Sequence, residues 1–289
     1  MNVLSLCDGM SGGQIVLKEL GIKVDNYFSF EIKENAIKTT QLNFPNTIQL
    51  GDVNNFDISM LNGEKIDLFL CGSPCKNMSL INGTSRNGVY GEKSKLFFQC
   101  VKVMNLVNPK YFLFENVGSM TNKDKEIFND NLKVEPININ SSLVSAQIRN
   151  RYYWTNLKGV TIPNDRNIKL KDIIDYGASP EEKWSDKKLA FVLKKKDTMY
   201  VNIDGEKSIP ITARGYRGWN TQFVTDECGI RDLIIKEYRR LQTIPDWYDF
   251  GNLSKGQITD LIGDGWNIET VKHILSFLPK EFLSNKFNN

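Results

Sequence analysis

Apolar residues in the first 160 positions fall into short runs separated by amphipathic stretches. Val3-Leu4-Ser5-Leu6, Tyr27-Phe28-Ser29-Phe30, Thr47-Ile48-Gln49-Leu50, Ile66 to Leu70, Tyr111 to Phe114 and Arg151-Tyr152-Tyr153-Trp154 read as strands. The runs at 66–70 and 111–114 are almost continuously apolar, the pattern of strands buried on both faces. Helical periods lie between: Ile15, Val16, Leu17 and Leu20, stopped by Gly21; Lys33 to Leu42; and Ser94 to Val107, which ends before Asn108-Pro109. This alternation predicts an α/β fold with a doubly wound, mostly parallel sheet. Such sheets bind ligands at the carboxyl ends of their strands, so the residues just after each apolar run are the candidates for chemistry.

The pattern changes after Lys158, where apolar periodicity weakens and charge rises. Between Lys187 and Arg217 stand eight basic residues (Lys187, Lys188, Lys194, Lys195, Lys196, Lys207, Arg214, Arg217) against three acidic ones. Most such runs are solvated faces. Thr212-Ala213-Arg214-Gly215-Tyr216-Arg217-Gly218-Trp219-Asn220, however, interleaves arginines, aromatics and glycines, a mix suited to phosphate and base contacts. From Leu233 the helical period returns. The expected organisation is a catalytic and cofactor-binding domain over 1–157, a small recognition region over 158–230, and a C-terminal segment over 231–289 that returns to the first domain.

Composition narrows the classes. The chain has 289 residues, 40% apolar and 25% charged, with net charge +3; a sizeable core is expected, and the mild basicity permits nucleic acid without requiring it. The five cysteines, Cys7, Cys71, Cys75, Cys100 and Cys228, form no CxxC pair, so no metal site is expected. Free thiols, the lack of an opening secretory segment and the lack of a long apolar run point to the cytoplasm, with no membrane partner. His273, the sole histidine, lies in a helical stretch and reads as a surface or packing residue, which leaves no His for a Ser-His or Cys-His pair.

Two groups of strand ends carry the chemistry. Asp8-Gly9-Met10-Ser11-Gly12-Gly13 follows the first strand and opens a helix, the arrangement of a nucleotide site. Glu31 ends the second strand, where a carboxylate can accept from ribose hydroxyls; Asp52 ends the third, where it can accept from an adenine amine. The ordered set predicts an adenosyl cofactor. Cys75, in Gly72-Ser73-Pro74-Cys75, leaves the fourth strand through a proline turn with Lys76 beside it, an unusual place for a packing cysteine and a good one for a thiolate nucleophile. Glu115 follows four apolar residues, and a partly desolvated carboxyl there can donate a proton near neutral pH.

Together these segments resemble the DNA (cytosine-5)-methyltransferases, nearly end to end and in the family order. Leu4 to Gly21 looks like the S-adenosylmethionine motif, Gly72 to Cys75 the nucleophile motif, and Glu115-Asn116-Val117 the ENV motif. Gln147-Ile148-Arg149-Asn150-Arg151 has the spacing of QxRxR. Glu237 to Pro245 resembles the segment that braces the recognition region, and Ile262-Gly263-Asp264-Gly265-Trp266 the motif that closes the cofactor pocket. The tails of the first and last motifs resemble the animal de novo branch and compact phage or bacterial enzymes. The resemblance implies Cys75, Glu115, Arg149 and Arg151 as catalytic residues. It implies cofactor contacts from Cys7, Asp8, Gly9, Ser11, Gly12, Glu31, Ile32, Asp52, Val53, Gly72, Pro74, Asp264, Gly265 and Trp266. Lys76, Asn77, Ser79, Arg214 and Arg217 would contact double-stranded DNA. The implied reaction is methylation of carbon 5 of a flipped cytosine, in a bacterial or phage-infected cell and in some settings beside a restriction endonuclease.

Three positions depart from the family pattern: Cys7 for the usual Phe, Lys76 for Gln and Asp264 for Asn. Drift in a divergent branch is the plainer account; the sharper one is a modified S-adenosylmethionine, such as a carboxymethyl donor. Two different functions compete with DNA methylation. One is that of a tRNA cytosine methyltransferase, whose Cys-Phe-Thr stretch is absent here. The second is that of a non-catalytic DNA-binding regulator, against which the retained Cys75 and Glu115 count.

Overall fold

The computed structural model describes residues 1–74, 95–178, 184–198, 200–227 and 229–283. The chain forms two compact units, each assembled from separate stretches: 1–139, 150–162 and 271–289 in the first, 140–149 and 163–270 in the second. These are not the boundaries expected at 157 and 230. Residues 231–270 join the second unit because Gln242 and the turn at Gly263–Gly265 are hydrogen-bonded to Gln147 and Arg149, which belong to it.

The first unit holds a seven-stranded sheet. Its strands are β1 (Asn2–Leu6), β2 (Asn26–Phe30), β3 (Ile48–Gln49), β4 (Leu68–Gly72), β5 (Tyr111–Val117), β6 (Ile137–Asn140) and β7 (Asn150–Thr155), in the order β3-β2-β1-β4-β5-β7-β6. β1 pairs in parallel with both β2 and β4, β2 with β3, and β4 with β5. β7 alone among the pairs in register runs antiparallel, against β5. The sheet is therefore mostly parallel, as expected, and the winding reverses at β1. The helices are α1 (Gly12–Glu19), α2 (Glu34–Asn43), α3 (Leu96–Val107) and α4 (Asn122–Leu132).

Local chemistry explains the main joints. α1 lies so close to the sheet that a Cβ on Gly13 would stand 2.4 Å from Leu70 Cδ1 and 2.8 Å from Tyr27 Oη, so any larger residue would displace one of these buried side chains. α3 stops at Asn108, which takes the left-handed conformation (φ 47) that asparagine tolerates better than most residues. The core on the α3 side stacks Phe97 on Phe128 at 3.8 Å between ring centres, and Phe128 meets Trp154 at 4.7 Å. Each such ring contributes about 1.5–3 kcal/mol relative to exposure. The buried Trp154 indole donates to Asn129 Oδ1 at 2.7 Å, which meets its one polar requirement.

The second unit contains α5 (Asp186–Lys195), α6 (Ile235–Leu241), α7 (Lys255–Asp264) and a three-stranded sheet ordered β10-β9-β8. Its strands are β8 (Asn202–Ile203), β9 (Gln222–Asp226) and β10 (Gly229–Asp232). Its small apolar core of Val192, Val201, Ile203 and Phe223 is supplemented by buried ion pairs. Arg231 binds Glu237 through two hydrogen bonds of 2.9 Å and also pairs with Asp226, and Lys188 pairs with Asp232. α8 (Ile268–Leu275) is the last helix among the described residues. Among the described residues no helix is long and apolar enough to cross a membrane, and no group of His, Cys, Asp or Glu is placed to hold a metal ion.

Candidate active site

The turn after β1 is built from left-handed residues: Cys7 (φ 55), Gly9 (φ 58) and Ser11 (φ 61). Asp8 holds them. Its Oδ1 accepts from Ser5 Oγ (2.5 Å) and Tyr27 Oη (2.7 Å), and its Oδ2 from Ser11 Oγ (2.6 Å) and Ser29 Oγ (3.0 Å). Burial raises the Asp8 pKa, and the four hydroxyls pull the other way. The Asp8 side chain thus ties β1, β2 and the start of α1 together. Its oxygens are occupied by the fold, a structural task that the resemblance did not imply.

Glu31 is also shared with the backbone: Oε2 accepts from Gly9 N (2.8 Å), and Oε1 from Ile32 N (2.8 Å) and Lys33 N (2.9 Å). A carboxylate has about four acceptor positions, so roughly one remains for a ribose hydroxyl. Ile32 is 71% exposed, an apolar side chain at the lip of the sheet. Asp52 Oδ1 caps the turn at Val53–Asn55 by accepting from Asn54 N at 2.9 Å. The Val53 side chain is packed in the core, so only its backbone is available to a ligand. Nothing stands within 4 Å of where a Cβ on Gly9 would be, so the turn is open at that point. A part-free carboxylate, an exposed aliphatic side chain, a second carboxylate and an open glycine turn fit an adenosyl group.

The reacting end lies where β4, β5 and β7 meet. Gly72 is in register with Glu115, and Val117 with Arg151. Because β7 runs antiparallel, its first residues lie beside the last of β5. Glu115 Oε1 pairs with Arg151 Nε at 2.8 Å, both side chains being less than one-fifth exposed. Asn116, fully buried, donates through Nδ2 to Ser73 O and Ser73 Oγ, each at 3.1 Å, and accepts from Val117 N at 2.8 Å. It thereby fixes the turn that leads through Pro74 to Cys75. Cys75, Lys76, Asn77 and Ser79 lie outside the described residues.

Arg149 departs from the expected clamp. It is buried, with Nη1 donating to Ile211 O (3.0 Å) and Nη2 to Gly263 O (3.0 Å) and Gly265 O (2.9 Å). A guanidinium bonded to three carbonyls braces the second unit, whereas the family resemblance implied a catalytic role for it. Gln147 and Gln242 join it: Gln147 Nε2 donates to Gln242 Oε1 (3.1 Å), and Gln242 Nε2 to Ile262 O (2.9 Å) and Gly265 O (3.1 Å). These bonds set the turn carrying Asp264, Gly265 and Trp266 at the end of α7. Asn116, Gln147 and Gln242 were not foreseen as site residues, although each lies inside a recognised motif. His273 donates through Nε2 to Thr161 O at 2.7 Å, a packing role.

Cys7, Cys71 and Cys100 form a thiol group on the α3 side of the sheet. Its bond with Cys100, then burial, pushes the Cys7 pKa well up; burial raises that of Cys71. The bond with Cys7 favours the Cys100 thiolate, but its bond with Cys71 and burial prevail and push it well up too. All three are expected to resist iodoacetamide at pH 8 in the folded protein and to react once it is unfolded. Mass spectrometry after timed alkylation checks this, and rapid native labelling of any of the three would contradict it.

The fold is that of S-adenosylmethionine-dependent methyltransferases. The S. pombe Dnmt2 methyltransferase structure superposes with a TM-score of 0.76 at 18% identity, over 97% of this chain and 99% of that one. The likeness in sequence is narrower. Residues 1–137 match the model of the C-5 cytosine-specific DNA methylases. Similar relatives include the orphan methyltransferase M.SPRI of Bacillus phage SPR, 29% identical over 61% of this chain and 43% of that protein. The type II methyltransferase M.DsaV of Dactylococcopsis salina is 34% identical over 43% of this chain and 34% of that one. On these findings the first 137 residues are similar to the C-5 cytosine-specific DNA methylases, a family whose methyl donor is S-adenosylmethionine. The chain spans less than half the length of these two relatives.

Proposed function

We propose that the protein methylates carbon 5 of cytosine in double-stranded DNA, through a covalent adduct with Cys75. The observation that carries the reading is the Glu115–Arg151 pair, held by register at the ends of β5 and β7, beside the β4 end that leads to Cys75. Glu31, Ile32, Asp52 and the open turn at Gly9 would hold S-adenosylmethionine, which supplies a methyl group on a positively charged sulfur.

The chain's own residues do the rest. The target base leaves the duplex so that Cys75 reaches it. The Cys75 thiolate adds to carbon 6. Glu115 bonds ring nitrogen 3 and the exocyclic amine, placing a proton on nitrogen 3 as electron density moves into the ring. Arg151 holds the carbonyl oxygen and balances the charge of Glu115. Carbon 5 becomes the nucleophile. After transfer, the carbon 5 proton passes to water, the nitrogen 3 proton returns to Glu115 and Cys75 leaves as thiolate, which restores the aromatic ring. The phage and bacterial relatives support a cytoplasmic setting and a place beside, or independent of, a restriction enzyme. No observation favours a modified donor.

Two measurements test this. Duplex DNA containing 5-fluorocytosine, with S-adenosylmethionine, is expected to give a denaturation-resistant complex with the protein, and Cys75→Ser none. Nucleoside mass spectrometry of ordinary DNA treated with the protein should show 5-methylcytosine. Product in transfer RNA but not in DNA would overturn the substrate, and a different 5-substituent the donor.

A further inference from the structure

The two arginines expected on DNA have different surroundings. Arg214 (φ 68) and Trp219 (φ 55) both hold the left-handed backbone conformation. For residues with a Cβ this conformation persists only where neighbouring contacts impose it. Here α7 imposes it. Asp260 Oδ1 accepts the Arg214 backbone N–H at 2.9 Å, and Asp260 Oδ2 pairs with Arg217 Nη2 at 2.8 Å. The Lys255 ammonium lies over the Tyr216 ring at 4.9 Å, and Trp219 meets Phe191 edge-on at 5.6 Å. Gly263 abuts the loop's base so closely that a Cβ would stand 2.3 Å from Ala213 N. Inside the loop, Gly218 N donates to Arg214 O (3.0 Å) and Asn220 N to Gly215 O (2.9 Å). The Arg217 guanidinium, more than half exposed, is thus tied to α7 through one of its nitrogens. The Arg214 side chain is exposed, with no hydrogen bond or ion pair among the described residues.

We propose that Asp260 is a positioning residue that divides the labour of this loop: it ties Arg217 to α7 and sets the Arg214 backbone so that the Arg214 guanidinium reads a guanine in the DNA. A planar fork on a fixed backbone matches guanine O6 and N7 in the major groove, and an arm set in place before binding loses less freedom when it docks. Asp260 need not touch DNA to determine the sequence read. The inference rests on the DNA methylation proposed above.

The test is methylation of a duplex library with a fixed cytosine and randomised flanks, read by bisulfite sequencing with the full chain and S-adenosylmethionine. Wild type is expected to prefer guanine at one flanking position. Arg214→Ala and Arg214→Lys should lose that preference by about tenfold or more, the worth of a bidentate contact. Asp260→Ala should reproduce the loss. Asp260→Asn keeps an acceptor for the Arg214 N–H, so it should keep the preference and instead raise KM for DNA a few-fold at unchanged kcat, as Arg217→Ala should. A wild type that leaves the library unmethylated overturns the function and this inference together. A methylating wild type whose preference survives Arg214→Lys and Arg214→Ala overturns this inference alone. Should Asp260→Ala not fold, the split between Asp260→Asn and the Arg214 variants still decides.

Discussion

Glu115→Gln is expected to lower methyl transfer by about two to four orders of magnitude, the range for loss of a positioned general acid. The replacement keeps the shape of the side chain and one acceptor toward Arg151 Nε, 2.8 Å away. It removes the carboxyl that can carry a proton to ring nitrogen 3 and the negative charge that Arg151 balances. Trapping on 5-fluorocytosine DNA should slow in parallel, because addition of Cys75 needs the same proton. Thermal unfolding and DNA affinity should change little, since the Glu115 side chain lies at the strand end and outside the packed core. Combined with Arg151→Ala, the two losses should not add, as expected of residues sharing one network. A single-turnover rate within tenfold of wild type would remove Glu115 from the chemistry.

Asp8→Ala should destabilise the protein by about 3–5 kcal/mol, since it leaves four hydroxyl donors in and around the buried turn without their acceptor. Three of them, Ser5, Tyr27 and Ser29, belong to β1 and β2, and the fourth, Ser11, starts α1. Asp8→Asn should cost less, because one carbonyl oxygen remains. The pH dependence separates the two effects. Burial raises the folded pKa of Asp8 above its ordinary 3.8. A carboxyl whose folded value is raised adds stability below its ordinary value, and that addition is lost as pH climbs through the raised value. Wild type should therefore gain on Asp8→Asn when pH falls from 7 toward 4. Urea unfolding at several pH values measures this, and an Asp8→Ala loss below about 1 kcal/mol would show the hydroxyls finding other partners.

The parallel half of the sheet was legible because buried strands leave unbroken apolar runs and their ends collect polar residues in a fixed order. β4 begins at Leu68, two residues later than the Ile66 start read from hydropathy, and β3 shrinks to Ile48–Gln49. α4 was missed because its periodicity is weak, although Thr121, whose side chain accepts from Asp124 N, was an available capping signal. β6 was missed too: Ile-Asn-Ile-Asn alternates over only four residues. The recognition region hid its strands because it relies on few apolar residues and on buried pairs such as Arg231–Glu237, which from sequence look like surface charge. At the site, the family resemblance pointed to Arg151, with Arg149 beside it. Strand direction separates them: Arg151 is inside β7 and in register with β5, whereas Arg149 precedes the strand and turns to the carbonyls of Ile211, Gly263 and Gly265.

β7 reaches β5 only after the chain has left the first unit at Ile139 and come back at Asn150. The 137 residues with the family match thus end at the first residue of β6 and before all of β7. A fragment cut there would leave Tyr111–Val117 as an apolar sheet edge with unpaired N–H and C=O groups, open to any other strand it met. The most recognisable portion of the chain is therefore an aggregation-prone, open-edged sheet, and shielding its edge falls to the same strand that delivers Arg151.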